Sequence, residues 1–264
     1  MKKLLIVIFF ISLVGCATPS QKFNQQVIEL GFNSQLVRSA KFQHQIYLAN
    51  TFMESGVLHV YIDGDGTPWE RNRWVADDPT ARNPLILRLM KQDNLSSILL
   101  GRPCYYGQSH KDECDSKYWT SHRYSKDVID SMSQVLNTWL KRYDFKEIVI
   151  IGYSGGGAIA ILMADKIKEI SKVVTVAANL DVTRWSKFHG FSALKHSLNP
   201  ADEAGLNERV RQFHFAGKDD EVVPSFLIKE YADRQRNAKY YEFPGKDHAC
   251  CWEDVWEQIM ALIK

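Results

Sequence analysis

The chain has 264 residues, with 33 Lys plus Arg against 31 Asp plus Glu and a formal charge of +2 at pH 7. No basic stripe stands out, which argues against a nucleic-acid partner. After a short N-terminal leader, about 240 residues alternate strand-like and helix-like patterns with no internal repeat, low-complexity tract or linker, and they suit one α/β domain.

The leader reads as an export signal. Met1-Lys2-Lys3 is basic, and Leu4 to Val14 is apolar but too short to span a bilayer comfortably. It ends in Leu13-Val14-Gly15-Cys16, which resembles a bacterial lipobox. That resemblance implies cleavage before Cys16 and a diacylglycerol on its sulfur. Several acyl chains, at ~0.8 kcal/mol per buried CH₂, make a stable membrane anchor. A plain secretory signal with a chance cysteine is the alternative. Ala17, rather than Asp, after the cysteine points to the outer membrane if the cell has one. Losing residues 1–15 removes Lys2 and Lys3, so the mature chain is formally neutral at 31 charges of each sign. Residues 16–22 then read as a lipidated polar tether and residues 23–264 as the domain.

Two strands, Gln25–Gly31 and Phe42–Ala49, are expected to open the domain as a hairpin. Val57–Ile62 is an apolar strand that runs into Asp63-Gly64-Asp65-Gly66. The glycines there allow close backbone approach to a ligand. A metal reading of this segment lacks the Glu that follows at calcium-loop spacing. A helix over Pro84–Gln92 and a strand over Ser97–Leu100 follow. The spacing of Val128, Ile129, Met132, Val135, Leu136, Trp139 and Leu140 predicts a long helix over Ser125–Tyr143. Ile148–Ile151 reads as a buried strand and Ala158–Ile170 as a helix. The remaining elements are strands at Val173–Ala177, Arg211–Ala216 and Lys239–Phe243, and helices at Ser225–Arg236 and Trp252–Ile263. That makes eight strands.

Gly152-Tyr153-Ser154-Gly155-Gly156 lies between the Ile148–Ile151 strand and the helix after it. A serine at such a strand-to-helix turn projects its hydroxyl out of the backbone, as in the G-x-S-x-G nucleophile elbow. Serine oxygen is a poor nucleophile unless a base takes its proton, and the base needs an orienting acid. The elbow implies the chain order serine, acid, histidine. Of eight histidines only His248 lies beyond the acidic turn Lys218-Asp219-Asp220-Glu221. Ser154, an aspartate at 219 or 220, and His248 each follow a strand, so a parallel sheet would bring them to one edge. Asp181, after the strand Val173–Ala177, is a rival acid.

With these residues in place the chain resembles the α/β-hydrolase superfamily, from about Phe42 to the C-terminus. The family's acid loop reads G-x-x-D with a V-P segment after it. Gly217 and Val223-Pro224 both select Asp220 over Asp219. The chain is similar, more narrowly, to bacterial lipoprotein hydrolases with a Y-I-x-G-D-G segment and a D-H-A-C-C-W ending. Here these are Tyr61–Gly66 and Asp247–Trp252. The resemblance implies an eight-stranded, mostly parallel sheet with helices on both faces. Fewer than thirty residues, from Asp181 to Glu208, are left for a cap, so the pocket should be open. It also implies two N–H donors to the oxyanion of a tetrahedral intermediate. One is that of Gly155, and the other that of Asp65 by family position, with Gly64 next. The family commonly has His where Asp63 stands. Two carboxylates beside an oxyanion are a poor arrangement, so their side chains must point away or be paired.

Cys104, Cys114, Cys250 and Cys251 favour disulfides in an exported chain. Cys104–Cys114 with a vicinal Cys250–Cys251 bridge competes with crossed pairings, and spacing does not decide. A zinc site lacks C-x-x-C spacing. Trp69, Trp74, Trp119, Trp185 and Trp252 fall in or near loops, as acyl-pocket walls or as packing anchors. The reading is therefore a lipid-anchored serine hydrolase with no cofactor or metal, acting on a small acyl substrate, with carboxylic esters first. An acyltransferase, a thioesterase or a peptidase on the same triad is the alternative. An envelope binding lipoprotein is the non-enzyme alternative.

Overall fold

Ile148, Val149, Ile150 and Ile151 are fully buried, as a parallel strand covered on both faces requires. They form the middle of a central strand in the computed structural model, which describes residues 17–71 and 73–264. The leader and Cys16 lie outside the described residues. The main sheet has eight strands: β1 (Asn33–Arg38), β2 (Gln43–Leu48), β3 (Ser55–Ile62), β4 (Ser96–Leu100), β5 (Asp144–Tyr153), β6 (Ile170–Val176), β7 (Arg211–Gly217) and β8 (Ala238–Phe243). Their spatial order is β1-β2-β4-β3-β5-β6-β7-β8. Only β2 runs antiparallel to its neighbours; from β4 to β8 every pairing is parallel. The C-terminal ends of β3 to β8 therefore share one edge, and the loops that leave it carry the candidate site.

Among the described residues seven helices accompany the sheet: α1 (Pro19–Glu29), α2 (Leu85–Lys91), α3 (Lys126–Leu140), α4 (Gly155–Ala164), α5 (Val182–Phe188), α6 (Ser225–Asp233) and α7 (Trp256–Leu262). The seven apolar residues whose spacing predicts α3 are all buried. α4 leans on β3, β5, β6 and α3, while α6 covers β7 and β8. Nearly every α4 side chain is buried, which fits its place at the centre of the molecule.

The first expected strand is corrected. Gln25–Gly31 belongs mainly to α1, and the hairpin partner of β2 is Asn33–Arg38. Phe23 and Val27, four apart, are buried, whereas Ile28 is exposed, so the segment has helical and not strand periodicity. Residues 19–22, read as tether, form the first turn of this helix. Thr18 and Gln21 make a reciprocal capping box, and Pro19 stands at the first helical position. The Ser20 N–H donates to Asp78 Oδ2 at 2.8 Å, which ties the turn to the body. The final helix also differs, since a 3₁₀ turn over Trp252–Val255 precedes α7. The segment between β6 and β7 holds only the short α5 and a 3₁₀ turn at Pro200–Asp202, a small cap.

Both short disulfides form, Cys104–Cys114 in the loop after β4 and the vicinal Cys250–Cys251. The crossed pairings do not. Trp119 and Trp252 are buried packing anchors whose indole N–H groups donate to Ala76 O and Asp247 O. Trp69 and Trp74 are exposed on a small two-stranded hairpin.

Candidate active site

Ser154 sits between β5 and α4 with φ +50° and ψ −123°, a conformation that costs energy for any residue with a Cβ. The turn is locked on both sides. The Ser154 N–H donates to Val176 O at 2.9 Å, and Ser154 O accepts from Gly157 N and Asn179 N. The two outer glycines are sterically required. A Cβ at Gly152 would lie 2.4 Å from Gly156 O, and one at Gly156 would lie 2.3 Å from Ile62 O. The backbone of α4 is thus pressed against the end of β3.

The Ser154 hydroxyl and His248 Nε2 are 2.9 Å apart, and His248 Nδ1 and Asp220 Oδ2 are also 2.9 Å apart. Asp220 is buried and its orientation is fixed. Its Oδ1 accepts from the backbone N–H groups of Val222 (2.8 Å) and Val223 (2.7 Å), which leaves Oδ2 for the imidazole. The His248 side chain keeps 17% exposure while that of Asp220 has none, so the chain of hydrogen bonds opens outward on the serine side. The two other candidate acids are elsewhere. Asp219 is exposed, and its N–H donates to Lys246 O. Asp181 caps α5 through the Arg184 N–H and accepts from Asn199 Nδ2.

Groups that spacing did not flag hold the His248 loop. The Tyr153 hydroxyl donates to His248 O at 2.9 Å, and its ring lies 5.3 Å from the imidazole. Asp247 Oδ1 accepts from the N–H groups of Ala249 and Cys250. Those bonds, Cys250 first, hold the Asp247 pKa below its ordinary value. Tyr153 is the variable second residue of the elbow motif, so nothing in that motif singles it out.

The loop after β3 meets the elbow. A Cβ at Gly64 would lie 3.2 Å from Ser154 Cβ, and one at Gly155 would lie 2.2 Å from Asp65 Oδ1. The Gly64 N–H is taken by Asp63 Oδ1 at 2.9 Å. Among the described residues the Asp65 N–H has no acceptor, and the Gly155 N–H begins α4, where helix geometry leaves it unpaired. The two carboxylates are handled differently. Burial pushes Asp63 up to about 6, with the Gly64 N–H and Arg102 opposing in part. Burial would raise Asp65 too, but the charges of Arg123 and Arg102 and the hydrogen bonds from Arg102 and Tyr124 hold it well below the usual carboxylate range. Neither arginine had a sequence signal that linked it to this loop.

Among the described residues no group of three or more His, Cys, Asp or Glu side chains is placed to hold a metal. No helix among them is long and apolar enough to cross a membrane. A cavity of about 350 Å³ is lined by residues of the cap segment such as Val182, Leu194 and Asn199, and it shares no lining residue with the Ser154–His248–Asp220 chain.

A family model for the α/β-hydrolase fold matches residues 103–207, a stretch that holds Ser154 and ends before Asp220. No curated protein matches the sequence. Among solved structures, the chain is similar to Est1E from Butyrivibrio proteoclasticus at 13% identity and TM-score 0.60, over 87% of this chain and 97% of that one. It is similar to the Pyrococcus furiosus esterase Pf2001 at 15% identity and TM-score 0.62, over 95% and 93%. XC6422 from Xanthomonas campestris, described as an α/β serine hydrolase without lid, aligns at 9% identity and TM-score 0.52, over 88% and 94%. The strand order, the parallel pairing and these similarities show the α/β-hydrolase fold.

Proposed function

We propose that the chain is a serine hydrolase that cleaves carboxylic esters through a covalent acyl-enzyme. The observation that carries this reading is the unbroken chain Ser154 Oγ, His248 Nε2, His248 Nδ1, Asp220 Oδ2, both links 2.9 Å, on a strained elbow. His248 takes the serine proton as Ser154 Oγ attacks the acyl carbonyl, and Asp220 holds the imidazole tautomer and stabilises the imidazolium. The N–H groups of Gly155 and Asp65 receive the negative charge on the former carbonyl oxygen; the loss of one such donor typically costs ~3 kcal/mol. Collapse of the intermediate expels the alcohol, which takes the proton from His248. Water, deprotonated by the same histidine, then releases the acid. The small cap and the esterase description of the Pf2001 neighbour support an ester substrate reached from an open face. The Leu13–Cys16 segment supports attachment to the cell envelope through an acylated Cys16, and Ala17 favours the outer membrane.

The deciding experiment is labelling with a fluorophosphonate probe, followed by peptide mapping. The expected adduct is on Ser154. Ser154→Ala should lose both labelling and p-nitrophenyl butyrate hydrolysis while its melting temperature stays near wild type. Turnover near wild type in that variant would mean another nucleophile.

A further inference from the structure

We propose that Arg102, Arg123 and Tyr124 are positioning residues that aim the Asp65 N–H at the oxyanion. The inference rests on the serine-hydrolase reading and deepens it.

The Asp65 N–H belongs to a loop with no helix or strand of its own between Ile62 and Trp69. A donor on such a loop serves a transition state only if it is held before the reaction. The hold is visible on the same peptide group. Gly64 C=O and Asp65 N–H form one planar amide, so the two point in opposite directions. Arg102 Nη1 donates to Gly64 O at 3.1 Å, which fixes the plane from behind and polarises the N–H in front. The next carbonyl is also held, since the Tyr105 hydroxyl donates to Asp65 O at 3.0 Å.

The Asp65 side chain completes the clamp. Its Oδ1 accepts from Arg102 Nη1 at 2.6 Å, and its Oδ2 accepts from Arg123 Nη1 at 2.8 Å and from the Tyr124 hydroxyl at 2.6 Å. The clamping groups are themselves braced. Arg102 Nη2 donates to Arg123 O, and Arg123 Nε donates to Thr120 O. Arg102, Arg123 and Tyr124 are all buried. The clamp also reaches the second donor. A Cβ at Gly155 would lie 2.2 Å from Asp65 Oδ1 and 2.5 Å from the Tyr124 hydroxyl. The pinned carboxylate therefore packs on the residue that follows the nucleophile and sets the spacing between the two N–H groups. A buried ion cluster is a weak source of stability, because desolvation offsets the attraction. What this one does supply is a fixed geometry.

The test uses the full chain, with Tyr124→Phe, Arg123→Gln and Arg123→Lys. Steady-state hydrolysis of p-nitrophenyl butyrate is measured beside inhibition by an aryl trifluoromethyl ketone, which adds serine to form an oxyanion. Tyr124→Phe removes one hydroxyl and keeps the ring; its kcat should fall about tenfold with KM within twofold. Arg123→Gln should lose about a hundredfold, and Arg123→Lys should recover most of it. In each variant the ketone should weaken by the same factor as kcat/KM, while the pH at half-maximal rate stays put. If the arginine variants do not fold, Tyr124→Phe alone decides. A lower melting temperature with unchanged kcat and unchanged ketone affinity would overturn the clamp, and so would an effect carried wholly by KM. A wild-type enzyme that neither binds the ketone nor labels at Ser154 would instead overturn the serine-hydrolase reading itself.

Discussion

Asp220→Asn should lower kcat/KM by roughly 10⁴, the scale of the same change in the protease triad, or ~5.5 kcal/mol of transition-state stabilisation. The structure explains why the amide cannot adapt. Asp220 Oδ1 receives two backbone N–H groups, from Val222 at 2.8 Å and Val223 at 2.7 Å. The single oxygen of an asparagine must occupy that place. The flipped amide would set its NH₂ against two N–H donors and leave both unpaired, at ~1–3 kcal/mol each. The NH₂ group is therefore forced toward His248 Nδ1, where the carboxylate oxygen now stands at 2.9 Å. It donates there, and the imidazole proton moves to Nε2, the nitrogen that faces Ser154 Oγ. An Nε2–H cannot accept the serine proton. The assay is p-nitrophenyl butyrate hydrolysis at one pH, with Asp219→Asn and Asp181→Asn as controls that should stay within a few-fold of wild type. Asp219 is exposed, and Asp181 is engaged with Arg184 N and Asn199, so Asp181→Asn should disturb the cap and not the chemistry. Asp220→Asn activity within tenfold of wild type would refute the tautomer argument. A collapse confined to Asp181→Asn would move the acid to the loop after β6, and one confined to Asp219→Asn would shift it by one residue.

Three further outcomes are expected. Asp63 is buried and its pKa rises from 3.8 to about 6, so between those values the folded chain binds more protons than the unfolded one; this contribution to stability falls as pH rises from about 4 to about 6, by ~3 kcal/mol at most. Asp63→Asn should remove that loss, so thermal melts at pH 4 and 7 should show the variant gaining on wild type at the higher pH; identical pH profiles would show that Asp63 titrates normally. Gly156→Ala would set a Cβ 2.3 Å from Ile62 O and 2.5 Å from Asp63 O, both backbone, and should lower stability by ~1–3 kcal/mol, read as a drop of several degrees in melting temperature with activity lost; an unchanged melt would show that β3 can yield. Cys16→Ser should keep esterase activity but leave the membrane fraction on cell fractionation, and full retention in that fraction would put the anchor elsewhere.

How much of the site could be read in advance follows from how local each signal is. The elbow is a contiguous signal, an apolar strand, G-x-S-x-G and a helix, and it names Ser154 without reference to distant residues. Chain order singles out His248, and the resemblance to the family's G-x-x-D and V-P acid loop, at Gly217 and Val223-Pro224, selects Asp220 over Asp219. In the first helix Val27, Ile28 and Leu30 look apolar enough for a strand. The decisive information lies in Phe23 and Val27 at helical spacing and in the Thr18-Pro19-Ser20-Gln21 cap, inside the stretch whose composition reads as a tether. The groups around the oxyanion loop are of another kind. Arg102 and Arg123 are two of 33 basic residues, and they meet Asp65 from 37 and 58 positions away. No period, cap or motif marks them. What the sequence does show is the problem they answer, two aspartates beside the place where negative charge would develop. A loop that keeps a carboxylate at Asp65 must bring buried cations to it. Once Arg102 is bound there, its geometry also reaches Gly64 O and fixes the amide that carries the donor. The awkward aspartate is therefore the handle by which the loop is held. On this argument Asp65→Asn, which keeps the shape but weakens the grip of both guanidinium groups, should lower kcat more than Asp63→Asn does. Near-equal kcat values for these two variants would mean that the carboxylate at Asp65 has no part in aiming its own N–H.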